Sequence, residues 1–96
     1  MDVFLEQNCS NLINEIKECG YTFEDVIKDP LYCLFGWNAK GPENFAKQYG
    51  KEIEAAIEFA SNYVVDISEF DLSTTDKKVG FALMYMATEL ATENYY

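Results

Sequence analysis

The chain of 96 residues contains neither histidine nor arginine. Histidine is the side chain that most often serves as acid, base or metal ligand near neutral pH, because its charge changes there. Arginine is the side chain that binds phosphate through a planar, bidentate fork. Their absence excludes the Ser-His-Asp and Cys-His constellations and every zinc site built with histidine. We therefore expect no enzyme, no catalytic residue, no metal and no cofactor.

Cysteine is scarce as well. Cys9, Cys19 and Cys33 are too few, and odd in number, for the disulfide framework of a secreted domain, and no CxxC spacing indicates zinc. Cys9 and Cys19 are separated by about 15 Å along one predicted helix, so they cannot pair. We expect three reduced thiols that pack as small apolar side chains in a cytoplasmic protein. The alternative is a dimer linked through Cys33 or a reactive thiol.

Signals for a membrane or for secretion are also missing. The first four residues contain no lysine, unlike the basic start of a signal peptide. The longest apolar run, residues 79–87, is far shorter than the roughly 20 residues that a membrane-spanning helix needs. These features predict a cytoplasmic location and no membrane contact.

Acidic residues are what the chain has in abundance. Its 17 Asp and Glu residues stand against 7 Lys, for a net charge of −10. The charge does not indicate disorder, since 49% of the residues are hydrophobic and 16% are aromatic. It opposes direct binding to nucleic acid or to an anionic membrane and favours a basic protein as partner. The simpler interpretation is that the acidity keeps a small protein soluble.

The spacing of apolar residues predicts an all-α fold. We expect a single small domain over residues 1–96, with four to five helices, two of them long. The first predicted helix covers residues 2–19, with Asp2 as its N-cap and Gly20 just beyond its end. Its apolar stripe recurs at intervals of three and four residues, as one face of a helix requires.

The next segments are shorter. Thr22 and Asp25 resemble a capping box that opens a short helix ending before Pro30. Residues 31–35 are apolar throughout, and five residues are too few for periodicity to distinguish a short helix from a buried strand.

A long helix is predicted to begin at Pro42, because proline is tolerated at the first helical position. Its apolar stripe continues from Phe45 to Val64. Gly50 lies inside this stripe and indicates a bend or a close contact with another helix.

The last helix is apolar nearly all round. Ser73 and Asp76 resemble a second capping box at its start. A helix of this kind is either the central element of the fold or faces a second partner. In the second case, Phe81, Met84 and Tyr85 would form the contact of a homodimer.

Most of the negative charge comes from two stretches, residues 1–36 and residues 52–76, and the second contains no lysine. A row of carboxylates resembles the phosphates of a nucleic acid and can occupy a basic groove in its place. Aromatic residues are frequent anchors of binding surfaces. We therefore add Trp37, which lies in a loop flanked by glycine, and Phe59, which lies off the apolar stripe of its helix beside Glu52 and Glu58. The alternative is a solvated helix face on which Lys51 pairs with Glu54. The predicted partner-binding residues are Glu52, Glu54, Glu58, Asp66, Glu69, Asp71, Asp76, Trp37 and Phe59.

The leading functional hypothesis is a small inhibitor of a phage or mobile element, an anti-CRISPR or anti-restriction protein. It would act as a nucleic-acid mimic and block the basic groove of a nucleic-acid-binding enzyme. This hypothesis rests on analogy with a class of acidic proteins. One alternative is an immunity protein or antitoxin that neutralises a basic toxin. Another is a helical structural or regulatory subunit that assembles through an apolar face.

Overall fold

A computed structural model describes residues 2–63 and 66–94 of the protein. These residues form six α-helices and one short 3₁₀ helix and contain no strand, so the all-α prediction is confirmed. The α-helices are α1 (Val3–Asn8), α2 (Ser10–Glu18), α3 (Phe23–Lys28), α4 (Pro30–Phe35), α5 (Gly41–Tyr63) and α6 (Thr75–Asn94), and the 3₁₀ helix is Ile67–Glu69. The number of α-helices in these residues is six rather than the predicted four to five, because the first predicted helix is divided, and the longest are α5 and α6. Val64, the predicted end of the α5 stripe, lies outside the described residues.

The first predicted helix is divided into α1 and α2, because the backbone leaves the helical conformation at Cys9 (φ −129°, ψ 27°). The Cys9 side chain makes no cap for α2. Instead, the carboxylate of Glu52 on α5 accepts hydrogen bonds from the backbone N–H groups of Asn11 (2.8 Å) and Leu12 (3.3 Å). Such N–H groups have no partner within their own helix. The cap from Glu52 therefore permits α2 to begin as a separate helix, where the apolar periodicity predicts one continuous helix.

The local signals at the ends of the first two predicted helices are confirmed. Asp2 Oδ1 accepts a hydrogen bond from the Phe4 backbone N–H at 2.8 Å. Gly20 follows α2 with a φ of +87°, a left-handed conformation that glycine adopts without steric cost. Both hydrogen bonds of the capping box are present, from the Asp25 N–H to Thr22 Oγ1 (3.1 Å) and from the Thr22 N–H to Asp25 Oδ2 (3.4 Å). Helix ends determined by near neighbours are thus visible in the sequence.

The segment 31–35 is helical and belongs to α4. Asp29 Oδ1 caps this helix by accepting a hydrogen bond from the Tyr32 N–H at 3.3 Å, and Pro30 occupies the first turn. An N-cap followed at once by proline is a helix start signal that resolves the choice between helix and strand.

The capping box predicted for the last helix is wrong. Thr74, and not Ser73, provides the cap, because its Oγ1 accepts a hydrogen bond from the Lys77 N–H at 3.2 Å. The N–H of Ser73 donates instead to Asp71 Oδ1 at 3.0 Å, in a turn that precedes the helix. Ser73 and Thr74 are neighbours and either hydroxyl could cap the helix. Because Ser73 belongs to the turn with Asp71, Thr74 is the residue that caps α6.

The bend in α5 lies at Tyr49 (φ −123°, ψ 28°), one residue before the predicted Gly50. The Tyr49 ring packs on Phe45 with a centroid distance of 4.9 Å, and its hydroxyl donates a hydrogen bond to Glu15 Oε1 at 3.3 Å. A Cβ atom added to Gly50 would meet nothing within 4 Å, so the glycine makes no close helix contact.

The central element of the fold is α6, which is one of the two roles predicted for it from the sequence. It packs against α2, α3, α4 and α5. Phe81 is 6% exposed and Tyr85 is 4% exposed, while Met84 is partly buried. Two of the three residues of the predicted dimer surface are therefore inaccessible to a partner, since the side of α6 that carries them is covered within the chain. The fully buried residues of α6 are Val79, Ala82, Leu83, Met86 and Ala87.

The three cysteines are free thiols and belong to this core. Cys9 and Cys33 are buried, and Cys19 is partly buried and packs at the edge of the core. Their predicted role as small apolar side chains is confirmed.

Candidate functional site

The predicted acidic residues do not form one continuous row. Glu52, Glu54 and Glu58 lie on α5, Asp66 and Glu69 lie at the 3₁₀ helix, and Asp71 and Asp76 flank the start of α6. Each of them has a different environment, and these environments decide which carboxylates are accessible to a partner.

Glu52 is used within the molecule. Its two oxygens accept three hydrogen bonds, from the N–H groups of Asn11 and Leu12 and from Asn11 Nδ2 at 2.7 Å. This carboxylate is partly buried against the start of α2, where the helix dipole also favours negative charge. Its carboxylate oxygens are therefore used for hydrogen bonds within the protein rather than for contacts with a partner.

Two other carboxylates are paired with lysines that follow the acidic stretch. Lys78 on α6 lies 3.4 Å from Glu54, so the pair with Lys51 considered from the sequence is not the one observed. Lys77 forms an ion pair with Asp71. The hydrogen bonds from Lys77 and Ser73 hold the pKa of the Asp71 carboxyl well below its ordinary value. These two lysines at the start of α6 thus reduce the local negative charge.

Asp66 also has local partners. Its Oδ1 accepts hydrogen bonds from the hydroxyl (2.7 Å) and the backbone N–H (3.1 Å) of Ser68. These bonds, the hydroxyl first, lower the pKa of the Asp66 carboxyl. The side chain caps the 3₁₀ helix, so a structural role already accounts for an acidic residue here.

A groove at the C-terminal end of α5 brings predicted and unpredicted residues together. It encloses about 500 Å³ and is lined by Asp2, Phe4, Glu58, Phe59, Asn62 and Tyr63. We call it the acidic groove. Phe59 stacks on Phe4 at a centroid distance of 5.7 Å and contacts Tyr63 at 4.9 Å. Phe4 is 42% exposed and Tyr63 is 75% exposed. Glu58 is exposed and makes no hydrogen bond or ion pair with the described residues.

Local structure explains how the groove is assembled. Phe59 and Tyr63 are four residues apart on α5, so their rings lie on one face of the helix. α1 packs against α5 and places Phe4 beside Phe59. Asp2, held at the start of α1 by its hydrogen bond to Phe4, adds a second carboxylate to the groove. Glu58 and Phe59 were predicted from the sequence, whereas the contribution of α1 was not, because only tertiary packing brings α1 near them.

Trp37 belongs to a different surface. It is 93% exposed and touches Tyr32 edge-on at a centroid distance of 5.7 Å. Together with Asp76 and Pro42 it lines a shallow hollow of about 200 Å³ near the start of α5. The acidic groove lies at the other end of this helix, which spans about 30 Å. Of the predicted residues, Glu58 and Phe59 therefore line the acidic groove, and Trp37 and Asp76 line a separate hollow.

The remaining findings place limits on the site. Among residues 2–63 and 66–94, no group of three or more Cys, Asp or Glu side chains is arranged to hold a metal ion. No helix in the described part of the chain has the length and apolar character that crossing a bilayer demands. No protein-family model, curated protein or solved structure matches the chain.

Proposed function

We propose that the protein is a small inhibitor that binds a basic nucleic-acid-binding enzyme and blocks the surface on which that enzyme holds nucleic acid. The anti-CRISPR and anti-restriction proteins of phages and mobile elements are the functional class to which this proposal assigns it. It assigns no catalytic activity to the chain. The free thiols suit a reducing compartment, so the proposal places the inhibitor and its target in the cytoplasm.

The acidic groove is the observation that carries the proposal. Exposed rings of Phe4 and Tyr63 adjoin the carboxylates of Asp2 and Glu58. Aromatic side chains anchor protein interfaces because they bury a large area with few rotatable bonds. Carboxylates beside them favour a basic partner, and the net charge of −10 steers such a partner towards the protein.

The proposal narrows the docking surface predicted from the sequence. The carboxylate of Glu52 is directed inward, and those of Glu54 and Asp71 are paired with lysines. Glu58 therefore replaces the acidic row as the centre of the surface. The exposed Glu69 and Asp76 add to the long-range attraction without a contact to the groove.

The test begins with the partner. The wild-type protein is used to capture proteins from its host, each candidate is purified, and its affinity is measured for the wild type, for Glu58→Lys and for the control Glu24→Lys. Glu24 is an exposed acid on α3 outside the groove, and its replacement changes the net charge by the same amount. We expect Glu58→Lys to weaken binding at least about tenfold more than the control, because it places a like charge against a basic surface.

The mechanism of inhibition has its own measurement. The enzyme's nucleic acid should compete with the inhibitor, and binding should weaken between about 0.1 M and 1 M salt, where the screening length falls from about 10 Å to about 3 Å. A ternary complex of enzyme, nucleic acid and inhibitor, or an affinity independent of salt, would overturn the proposal. A toxin as the captured partner would assign the same surface to an immunity protein or antitoxin instead.

A further inference from the structure

The acidic groove is lined by aromatic rings and by carboxylates, and both favour a positively charged side chain. The planes of Phe4 and Phe59 are within 15° of parallel, and Tyr63 is tilted by 47° to Phe59. The face of an aromatic ring attracts a cation held within about 6 Å of its centroid. The carboxylates of Asp2 and Glu58 line the same groove and attract the same charge.

We propose that the acidic groove binds an arginine side chain of the partner, an inference that rests on the proposed function. A guanidinium is flat and weakly hydrated, so it stacks on a ring while its five N–H donors bind carboxylates. Asp2 Oδ1 already accepts a hydrogen bond from the Phe4 N–H, which fixes the carboxylate at the groove. Glu58 has no hydrogen-bond or ion-pair partner among the described residues, so its two oxygens are available to a bidentate donor.

Other occupants fit the groove less well. A purely apolar side chain would cover the carboxylates of Asp2 and Glu58 without providing a hydrogen bond, which is costly. A phosphate or a nucleic acid would be repelled by the negative charge of these carboxylates. A second copy of this chain also carries −10 and contains no arginine to insert. Lysine has the required charge, but its compact ammonium is strongly hydrated and lacks the flat face with which a guanidinium stacks on a ring.

The experiment uses the full-length protein and three capped tripeptides, Gly-Arg-Gly, Gly-Lys-Gly and Gly-citrulline-Gly. Citrulline has nearly the shape of arginine without its charge. Binding is followed by NMR through the ring signals of Phe4, Phe59 and Tyr63. We expect the arginine peptide to shift these signals and to bind about threefold more tightly than the lysine peptide and at least about tenfold more tightly than the citrulline peptide.

Variants of the protein locate the site. Glu58→Gln and Phe59→Leu should each weaken the arginine peptide at least about threefold, through loss of a carboxylate and of a ring face, respectively. Glu24→Gln on α3 is the matched control and should leave the affinity unchanged. Amide spectra of each variant establish that it is folded. Equal binding of the arginine and citrulline peptides, or equal weakening by the control, would overturn the inference.

The failure of this inference is distinct from failure of the proposed function. If no arginine peptide binds, but a purified enzyme binds the wild type and not Glu58→Lys, the inference is wrong and the inhibitor proposal stands. If the arginine peptide binds and no basic enzyme does, the inhibitor proposal fails, while the inference that the groove binds an arginine side chain stands. Sedimentation that shows a wild-type dimer, and a monomer for Phe59→Leu, would instead assign the groove to a second copy of the chain and overturn the inference.

Discussion

Glu52 binds Asn11 through both carboxylate oxygens, accepting one hydrogen bond from the backbone N–H at 2.8 Å and one from Nδ2 at 2.7 Å. The two residues are 41 positions apart in the chain. This contact joins the middle of α5 to the first turn of α2 and serves as the N-cap that the α2 segment lacks. An acidic residue predicted to bind a partner thus has a structural role.

The first prediction concerns this cap. Glu52→Ala should lower the free energy of unfolding by about 1–3 kcal/mol, because it leaves two N–H donors at the start of α2 without an acceptor. Glu52→Gln should lower the free energy of unfolding less, since its carbonyl oxygen can still accept the hydrogen bonds of the Asn11 and Leu12 N–H groups, which share one oxygen of Glu52. Urea denaturation measures both. The control is Glu54→Ala, whose exposed pair with Lys78 contributes less than about 1 kcal/mol. An equal effect at positions 52 and 54 would contradict the capping role.

The second prediction is a pH dependence at Asp71. Hydrogen bonds from Lys77 and Ser73 hold the folded-state pKa of this carboxyl well below the ordinary value of 3.8. A lowered pKa stabilises the folded state above the unfolded value, and this stabilisation is lost as the pH falls from about 5 through the folded-state pKa.

Melting temperatures of the wild type and of Asp71→Asn test this dependence. We expect the variant to melt at a lower temperature at pH 7 and the difference to shrink steadily below about pH 4. Lys77→Met, which removes the other partner, should show the same trend. A difference that is constant from pH 7 to pH 2 would exclude the ion pair as its source.

The third prediction concerns the thiols. Burial, and then the charge of Glu52, raise the pKa of Cys9 to about 11, and burial also raises the pKa of Cys33. Because the thiolate is the reactive form, both should react slowly in the folded protein. The partly exposed Cys19 should react first with a disulfide reagent such as DTNB. Reaction rates in the variants Cys19→Ser and Cys9→Ser, with and without urea, measure the order, and a fast Cys9 in the native state would contradict it.

The fourth prediction separates a core role from an assembly role for Phe81. Phe81→Ala should lower the free energy of unfolding by about 3–5 kcal/mol, because it leaves a cavity between α6 and Phe70. Met84→Ala, at a partly exposed position on the same helix, should cost less. Sedimentation of the wild type should give the monomer mass of 11.0 kDa. A wild-type dimer that Phe81→Ala dissociates without loss of stability would restore the assembly role.

Much of the fold was predictable because its signals are local. The hydrogen bonds of Asp2 and of the Thr22–Asp25 capping box join residues two or three positions apart. The apolar character of residues 79–87 also predicted a helix that is covered on every face, either by the rest of the chain or by a partner, and α6 is covered by the chain. The break at Cys9 was not predictable, because the cap that permits it comes from α5.

The candidate site was predictable only in part. Glu58 and Phe59 stood out, as an acidic residue in an acidic stretch and as a ring outside the apolar stripe of its helix. Asp2 and Phe4 could not be assigned to the same site, because they are more than fifty positions away and reach it only through the packing of α1 on α5. The spacing of Tyr63, four residues after Phe59, was a signal that could have been used.

The sequence by itself determined the helical character of the chain, its charge of −10 and the exclusion of histidine and arginine chemistry. These properties depend on composition and on contacts within a few residues. Only the tertiary structure decided which carboxylates remain accessible, turning Glu52 towards α2, pairing Glu54 and Asp71 with lysines of α6, and leaving Glu58 beside exposed rings. The reason is physical: whether a carboxylate is accessible depends on the donors near it in space, and the donors that bind Glu52 and Glu54 are 24 to 41 positions away in the sequence.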